Sequence, residues 1–334
     1  MDNLSLIEKL DQAVDALLAS PDAPPVAVNA EIDSLLRIAA ELRQLPRAEF
    51  RAKLRADLER KATVSSESAA SKREPTQPTV NPVREGFRTI TPYIAVHKVH
   101  EVIEFVKTVF GAEGKIYGTG SGGGIHSEFR IGESMLMIGG GENWRGTDMP
   151  AALHVYVPNV DEVYERAVKA GATIQHPPAD QVYGERSAAL VDPGGNEWFP
   201  ATSMGASYLP AQTQNVMPCL HPIGAPKQIE FLEEAFGAEV VGRHASPEGV
   251  ILHAKVRVGN ALIELGEAHG PWQPMPGMFM LYVEDVDAWY ARAMRAEGAI
   301  SHGAPANQPY GDRVGAVKDP FGNLWYIASH IKDI

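Results

Sequence analysis

One stretch of this chain is written twice. Tyr183-Gly-Glu-Arg186, followed by Asp192-Pro-Gly-Gly-Asn-Glu-Trp-Phe199, returns as Tyr310-Gly-Asp-Arg313 and Asp319-Pro-Phe-Gly-Asn-Leu-Trp-Tyr326. The pairs Asp192 and Asp319, Tyr183 and Tyr310, and His126 and His253 are each 127 positions apart, while Phe110 and Phe236, and Asp161 and Asp287, are 126 apart. A period this long, with a drift of one residue, describes a duplicated domain rather than a solenoid of short repeats. Whatever fold one half adopts, the other half adopts too.

Each copy carries its own signals. Asp-Pro-x-Gly-Asn has the Pro and Gly of a tight turn, and the apolar runs on either side make a β-hairpin. Upstream, Ile90 to Val96 reads as a strand. A helix follows from His100 to Phe110, with Val102, Ile103, Val106 and Val109 on one stripe and Gly111 closing it. Extended segments follow at 114–118, 125–131 and 134–138. The order restarts with a strand at 153–157 and a helix from Val160 to Ala170, closed by Gly171. In the second half the helices fall near Lys227 to Phe236 and Val286 to Glu297. The expected class is α+β, with tandem domains at 83–206 and 207–334, each made of two βαβββ modules. Ahead of them, residues 1–62 show three short apolar periodicities (Leu4 to Leu17, Ile32 to Leu42, Phe50 to Leu58) that predict a small helical segment. Residues 63–82, rich in Ser, Thr, Glu and Pro, predict a flexible linker.

Composition narrows the partners. The net charge is −12, of which residues 1–62, with eleven acids and nine bases, hold −2. The duplicated part is the acidic part, which argues against nucleic acid. No apolar run is long enough to span a membrane, and Met1-Asp2-Asn3-Leu4 does not open a secretory pattern, so a cytoplasmic location is expected. A single cysteine, Cys219, excludes an intramolecular disulfide and a multi-thiolate metal site; a buried structural thiol is its expected role.

Two βαβββ modules per half, glycines closing the helices, and the Asp-Pro-x-Gly-Asn hairpin resemble the vicinal oxygen chelate superfamily of glyoxalase I, bleomycin-resistance proteins and extradiol dioxygenases. Thr91-Pro92-Tyr93, Phe110-Gly111-Ala112, the segment His126 to Gly132 and Tyr183 to Arg186 resemble its PhnB-like branch most, and His253 to Gly259 and Tyr310 to Arg313 repeat the match. The resemblance covers about residues 87–332. It implies eight-stranded cups in which metal-dependent members hold one divalent ion with four inward residues. Those positions fall on Thr91, Met137, Ala152 and Phe199 in the first half, and on Met217, Glu264, Met278 and Tyr326 in the second. Glu264 alone among the eight is a hard ligand, so no cofactor is expected. The alternative is a divalent metal ion on a different set, His126, His253 and Glu264, brought together if the domains pair within the chain.

The remaining candidates line a pocket. Trp144 and Trp272 occupy the same inter-module loop in the two halves and suit a flat wall at a cup's mouth. Met137, Met217, Met278, Phe199 and Tyr326 give a soft, aromatic lining, and His126, His154 and His253 lie on strands facing it. Glu264 interrupts the apolar run Ala261 to Leu265; it predicts either a raised pKa or a cationic partner, and it is the candidate catalytic base. Arg186 and Arg313 are assigned to structural loop networks, and the glycine run Gly118 to Gly124 to a hairpin tip. The leading functional expectation is a cytoplasmic small-molecule-binding protein without the family metal. The alternative is a lyase, isomerase or dioxygenase-type enzyme using another metal set or Glu264 as base. A protein partner is a further expectation for the helical N-terminal segment.

Overall fold

The computed structural model describes residues 81–119 and 122–333. The expected helical segment, and the linker up to residue 80, lie outside the described residues. Four βαβββ modules follow one another. The first holds β1 (Ile90–Val96), α1 (Val99–Phe110), β2 (Glu113–Thr119), β3 (Ile125–Ile131) and β4 (Ser134–Gly140). The second holds β5 (Ala152–Tyr156), α2 (Val160–Lys169), β6 (Thr173–Gln181), β7 (Glu185–Val191) and β8 (Glu197–Ser203). The third holds β9 (Val216–Leu220), α3 (Ala225–Phe236), β10 (Glu239–Ala245), β11 (Ile251–Val258) and β12 (Ala261–Leu265). The fourth holds β13 (Met278–Tyr282), α4 (Val286–Ala293), β14 (Ile300–Asn307), β15 (Asp312–Lys318) and β16 (Leu324–His330).

Local sequence explains most of these limits. Helix α1 buries Val99, Val102, Ile103, Phe105, Val106 and Val109 and stops at Gly111, whose φ of 64° is left-handed; Gly237 does the same for α3 at φ 67°. That conformation costs a residue with a Cβ about 1–2 kcal/mol, so glycine sits there. Helix α4 ends four residues before the expected Glu297, and turns fill the remainder. In the duplicated hairpin the aspartate has two tasks. Asp192 Oδ1 accepts from the backbone of Gly194 (2.8 Å) and Asn196 (3.0 Å), and its Oδ2 accepts from Trp198 Nε1 (3.0 Å). Asp319 repeats this with Phe321, Asn323 and Trp325. The motif thus closes the turn and pins a fully buried tryptophan against the helices. Truncating such a side chain costs about 3–5 kcal/mol.

The strands form two eight-stranded sheets, ordered β14-β15-β16-β13-β1-β4-β3-β2 and β10-β11-β12-β9-β5-β8-β7-β6. Each sheet joins one module from each half. The first module closes on the fourth through the antiparallel pair β1 and β13, with Thr91 opposite Met280 and Tyr93 opposite Met278. The second closes on the third through β5 and β9, with His154 opposite Met217. The expected grouping of cup residues by half therefore does not hold. Thr91, Met137, Met278 and Tyr326 share one sheet; Ala152, Phe199, Met217 and Glu264 share the other. The helices cover one face of each sheet and the alternate residues form the other, the cup face. No helix among the described residues is long and apolar enough to cross a membrane.

Candidate ligand-binding site

The cup of β1–β4 and β13–β16, the first cup, is filled by the chain itself. Ala95, Met278 and Leu324 pack with Tyr93, Trp144 and Tyr326 at one end, and Phe87, Met137, Met280, Tyr282, Val314 and Ala328 cluster at the other. The segment leading into β1 is anchored where His330 N donates to Pro82 O (2.9 Å). From there Arg84 reaches in. Its guanidinium grips Glu128 with both nitrogens (Nη2 to Oε2 3.0 Å) and donates to the Tyr282 hydroxyl (3.3 Å), which donates in turn to Asp312 (3.3 Å). His126 bridges Tyr93 (2.9 Å) and Glu128 (3.3 Å). Burial alone would raise the Glu128 carboxyl; the hydrogen bonds of His126 and Arg84 hold it down at about 2.

The cup of β5–β12, the second cup, has the same plan with other residues. Its leading segment is anchored alike, Ser203 N donating to Tyr208 O (3.2 Å), which puts Pro210 in the register position of Arg84. By the same correspondence, Cys219 stands for Tyr93, Ala152 for Met278, Glu197 for Leu324, His154 for Met280 and Glu264 for Met137. Large apolar groups have become small or ionisable ones. Glu264 Oε2 takes His154 Nδ1 at 2.8 Å and the Cys219 thiol at 3.7 Å. Lys255 Nζ stands 3.0 Å from Glu264 Oε1, without hydrogen-bond alignment, and His253 Nε2 stands 3.8 Å away. Tyr156 donates to Glu185, and Gln175 Nε2 to Glu197 (3.3 Å).

Six buried side-chain atoms lack a hydrogen-bond partner among the described residues: His154 Nε2, Gln175 Oε1, Glu185 Oε2, Glu197 Oε2, His221 Nδ1 and Glu264 Oε1. All six belong to the second cup's sheet or, for His221, to the residue just past β9. Two imidazole–carboxylate pairs stand just beyond bonding reach, His154 and Glu185 at 3.6 Å and His221 and Glu197 at 4.0 Å. Trp272 makes a wall beside them, stacked on His221 (centroids 6.0 Å) and edge-on to Phe199 (5.3 Å). A cleft of about 220 Å³ shares His221 but lies outside the cup, between the end of β9, the loop at Pro274–Pro276 and the turn at Pro320–Phe321.

The electrostatics follow from this packing. Burial pushes the Glu264 carboxyl up, but the charge and hydrogen bond of His154, with His253 and Lys255, hold it well below the usual carboxylate range. Burial pulls His154 down, and Glu264 with Glu185 more than reverses that, leaving the imidazole above its ordinary value. Burial, helped by the nearby charge of His269, takes His221 down to about 4, and burial lifts Glu197 against the hydrogen bond from Gln175. Burial beside Glu264 pushes the Cys219 thiol well up, so this is no activated nucleophile.

Of the two expectations for Glu264, the cationic partner is the one present, His154 with Lys255, and its pKa is lowered, not raised. A depressed, hydrogen-bonded carboxylate is a weak base. Other sequence expectations are corrected. The alternative metal set is not assembled: His126 sits on β3 in the first cup, whereas His253 and Glu264 belong to the second. Trp144 lies in the first cup with Met137, Met278 and Tyr326, apart from Trp272, Met217, Phe199 and His154. Arg186 and Arg313 are structural, but they pair with Asp161 and Asp287 on the helices (2.7 Å each) rather than with the adjacent acid and Tyr. Glu185, Glu197, His221, Tyr156, Lys255 and Arg84 went unnoticed. The signal for them was the difference between the copies, since Glu197 stands where the second copy has Leu324. The four family ligand positions of the second cup hold Met217, Glu264, Ala152 and Phe199, of which Glu264 alone is a carboxylate or imidazole donor. Among the described residues no group of three or more His, Cys, Asp or Glu could hold a metal ion.

Four βαβββ modules paired into two cups define a class of proteins that put chemistry or binding on the cup face. The chain belongs to the Glyoxalase/Bleomycin resistance protein/Dioxygenase superfamily, whose model matches residues 87–199 and 224–327. Glyoxalase I from Zea mays superposes with a TM-score of 0.59 at 14% identity, over 73% of this chain and 92% of that one, a likeness of fold. An uncharacterized protein of Mycobacterium bovis is 33% identical over 135 residues, 36% of this chain and 88% of the relative. One from Mycobacterium tuberculosis matches at the same identity over 79% of its length.

Proposed function

We propose that this chain is a small-molecule-binding protein that works through the second cup without a bound metal. The observation that carries this is the placement of the buried atoms without a hydrogen bond: five on the second cup's sheet and His221 just past it, and none in the first cup, among the described residues. Leaving a buried polar atom unbonded costs about 1–3 kcal/mol, so a cluster of them on one face marks a surface built to be completed by something else. Ala152 and Cys219 are smaller than their first-cup counterparts Met278 and Tyr93, and Phe199 and Trp272 offer an apolar wall. Within its superfamily we assign the chain to the PhnB-like branch on the motifs at Thr91–Tyr93 and His126–Gly132. We further propose a cytoplasmic role in sequestering a toxic or antibiotic molecule.

The test is ligand-observed NMR with a fragment library of mixed charge. It compares the full chain with a variant whose second cup is packed like the first, Ala152→Met with Cys219→Tyr. Fragments that bind the parent and are lost from the variant support the proposal. No binding, or equal binding to both, overturns it.

A further inference from the structure

The two cups solve one problem in two ways. In the first, the groups facing the cup are completed by a guanidinium from the chain's own leading segment: Arg84 meets Glu128 and the Tyr282 hydroxyl, behind which stands Asp312. In the second, Tyr156 and Glu185 stand where Tyr282 and Asp312 do, but Pro210 replaces Arg84. Lys255 takes the place of Glu128 and is engaged by Glu264. The only chain imidazole near Glu185 Oε2 among the described residues is His154, whose Nε2 stands 3.6 Å away, so Oε2 has no hydrogen bond while its residue is only 9% exposed.

Resting on the binding-site reading above, we infer that the second cup takes an organic cation bearing several N–H donors, a guanidinium or amine, in the place that Arg84 fills in the first. Two more observations fit this class. Three of the six atoms without a hydrogen bond are oxygens of Glu185, Glu197 and Gln175, and an ionised carboxylate or an amide oxygen accepts and does not donate; a fourth, Glu264 Oε1, lacks an aligned bond but has Lys255 Nζ at 3.0 Å. Three acids, Glu185, Glu197 and Glu264, stand against one lysine, Lys255, with the imidazoles of His154, His253 and His221 beside them. The acceptors are also strung out. Glu197 lies beside Ala152, and Tyr156, which donates to Glu185, lies four residues along β5, about 13 Å at ~3.3 Å per residue. An elongated ligand with donors at both ends and an apolar middle against Phe199 and Trp272 matches that spacing.

The test is calorimetric titration of the full chain with agmatine, butylguanidinium and the neutral isostere butylurea. Agmatine is expected to bind most tightly, butylguanidinium next, and butylurea at least tenfold more weakly than butylguanidinium. Glu185→Gln should weaken agmatine at least tenfold. Pro210→Arg, which gives the second cup the first cup's own plug, should abolish binding. Butylurea binding within threefold of butylguanidinium, or agmatine affinity unchanged in both variants, overturns the cation assignment. If library fragments bind the second cup but neither cation does, the site stands and the ligand class falls. If nothing binds, both fall.

Discussion

The first and second cups are built from the same module, on the same strand order, with the same anchored leading segment. They differ at a few facing positions. Tyr93, Met137, Met278, Met280 and Leu324 close the first as a hydrophobic core with one guanidinium bolt. Cys219, Glu264, Ala152, His154 and Glu197 leave the second charged, tightly coupled and incomplete. A duplicated fold thus separates two demands that conflict on one surface: the first cup stabilises, and the second keeps buried polar groups that stability alone would remove.

The largest expected break in this comparison is Glu264→Ala. It strands His154 and Lys255 in the second cup without their anion, and a chemical-denaturation midpoint should report a loss of about 3–5 kcal/mol. Adding His154→Met, the residue type of the first cup, should recover part of that loss. Strict additivity of the two would show that they do not act as a pair. In the first cup, Arg84→Ala removes the bolt but leaves Glu128 with His126, and about 1–3 kcal/mol is expected. Partial rescue of its melting temperature by millimolar methylguanidinium would sharpen the analogy between plug and ligand.

The pH profile separates His154 from His221. His154, held above its ordinary 6.5, contributes stability that is full below 6.5 and is lost as the pH rises through its raised pKa. Glu264, held below its ordinary 4.5, contributes above that value and loses it as the pH falls through its lowered pKa. His221 works the other way from His154. Pushed down to about 4, it is best accommodated neutral, so stability falls by about 3 kcal/mol between pH 6.5 and 4. Urea titrations across pH 4–9 should show His221→Phe flattening the acid limb and His154→Gln the alkaline one. An unchanged acid limb in His221→Phe would contradict the buried, neutral imidazole. The smallest effect belongs to Arg186→Lys and Arg313→Lys, whose partners are exposed. Neither should change ligand binding in the second cup.

Much of the architecture was legible in the chain. The strand and helix sequence follows from apolar periodicity, helix ends follow from Gly111 and Gly237, and the hairpins follow from Asp-Pro-x-Gly-Asn. Each of these is a local signal. The candidate site was legible only in part. Glu264 stood out because it interrupts an apolar strand, and His154 was placed on the right face by counting residues. Their 2.8 Å contact was not visible, because 110 positions separate them and a strand pattern gives a face without its neighbour. Glu185 and Glu197 were hidden inside motifs that looked structural.

The sequence alone determined the duplication, the four modules, the class of fold, and which residue types face the cups. The pairing of the modules was decided by the tertiary structure. Equivalent modules present equivalent edge strands, so β1 has the same local fitness for β5 as for β13, and nothing in a local pattern chooses between them. The choice of β13 puts Arg84 beside Glu128 and Tyr282, and the matching choice of β9 for β5 puts His154 beside Glu264. The contrast between a plugged cup and an unfinished one exists only after that choice is made.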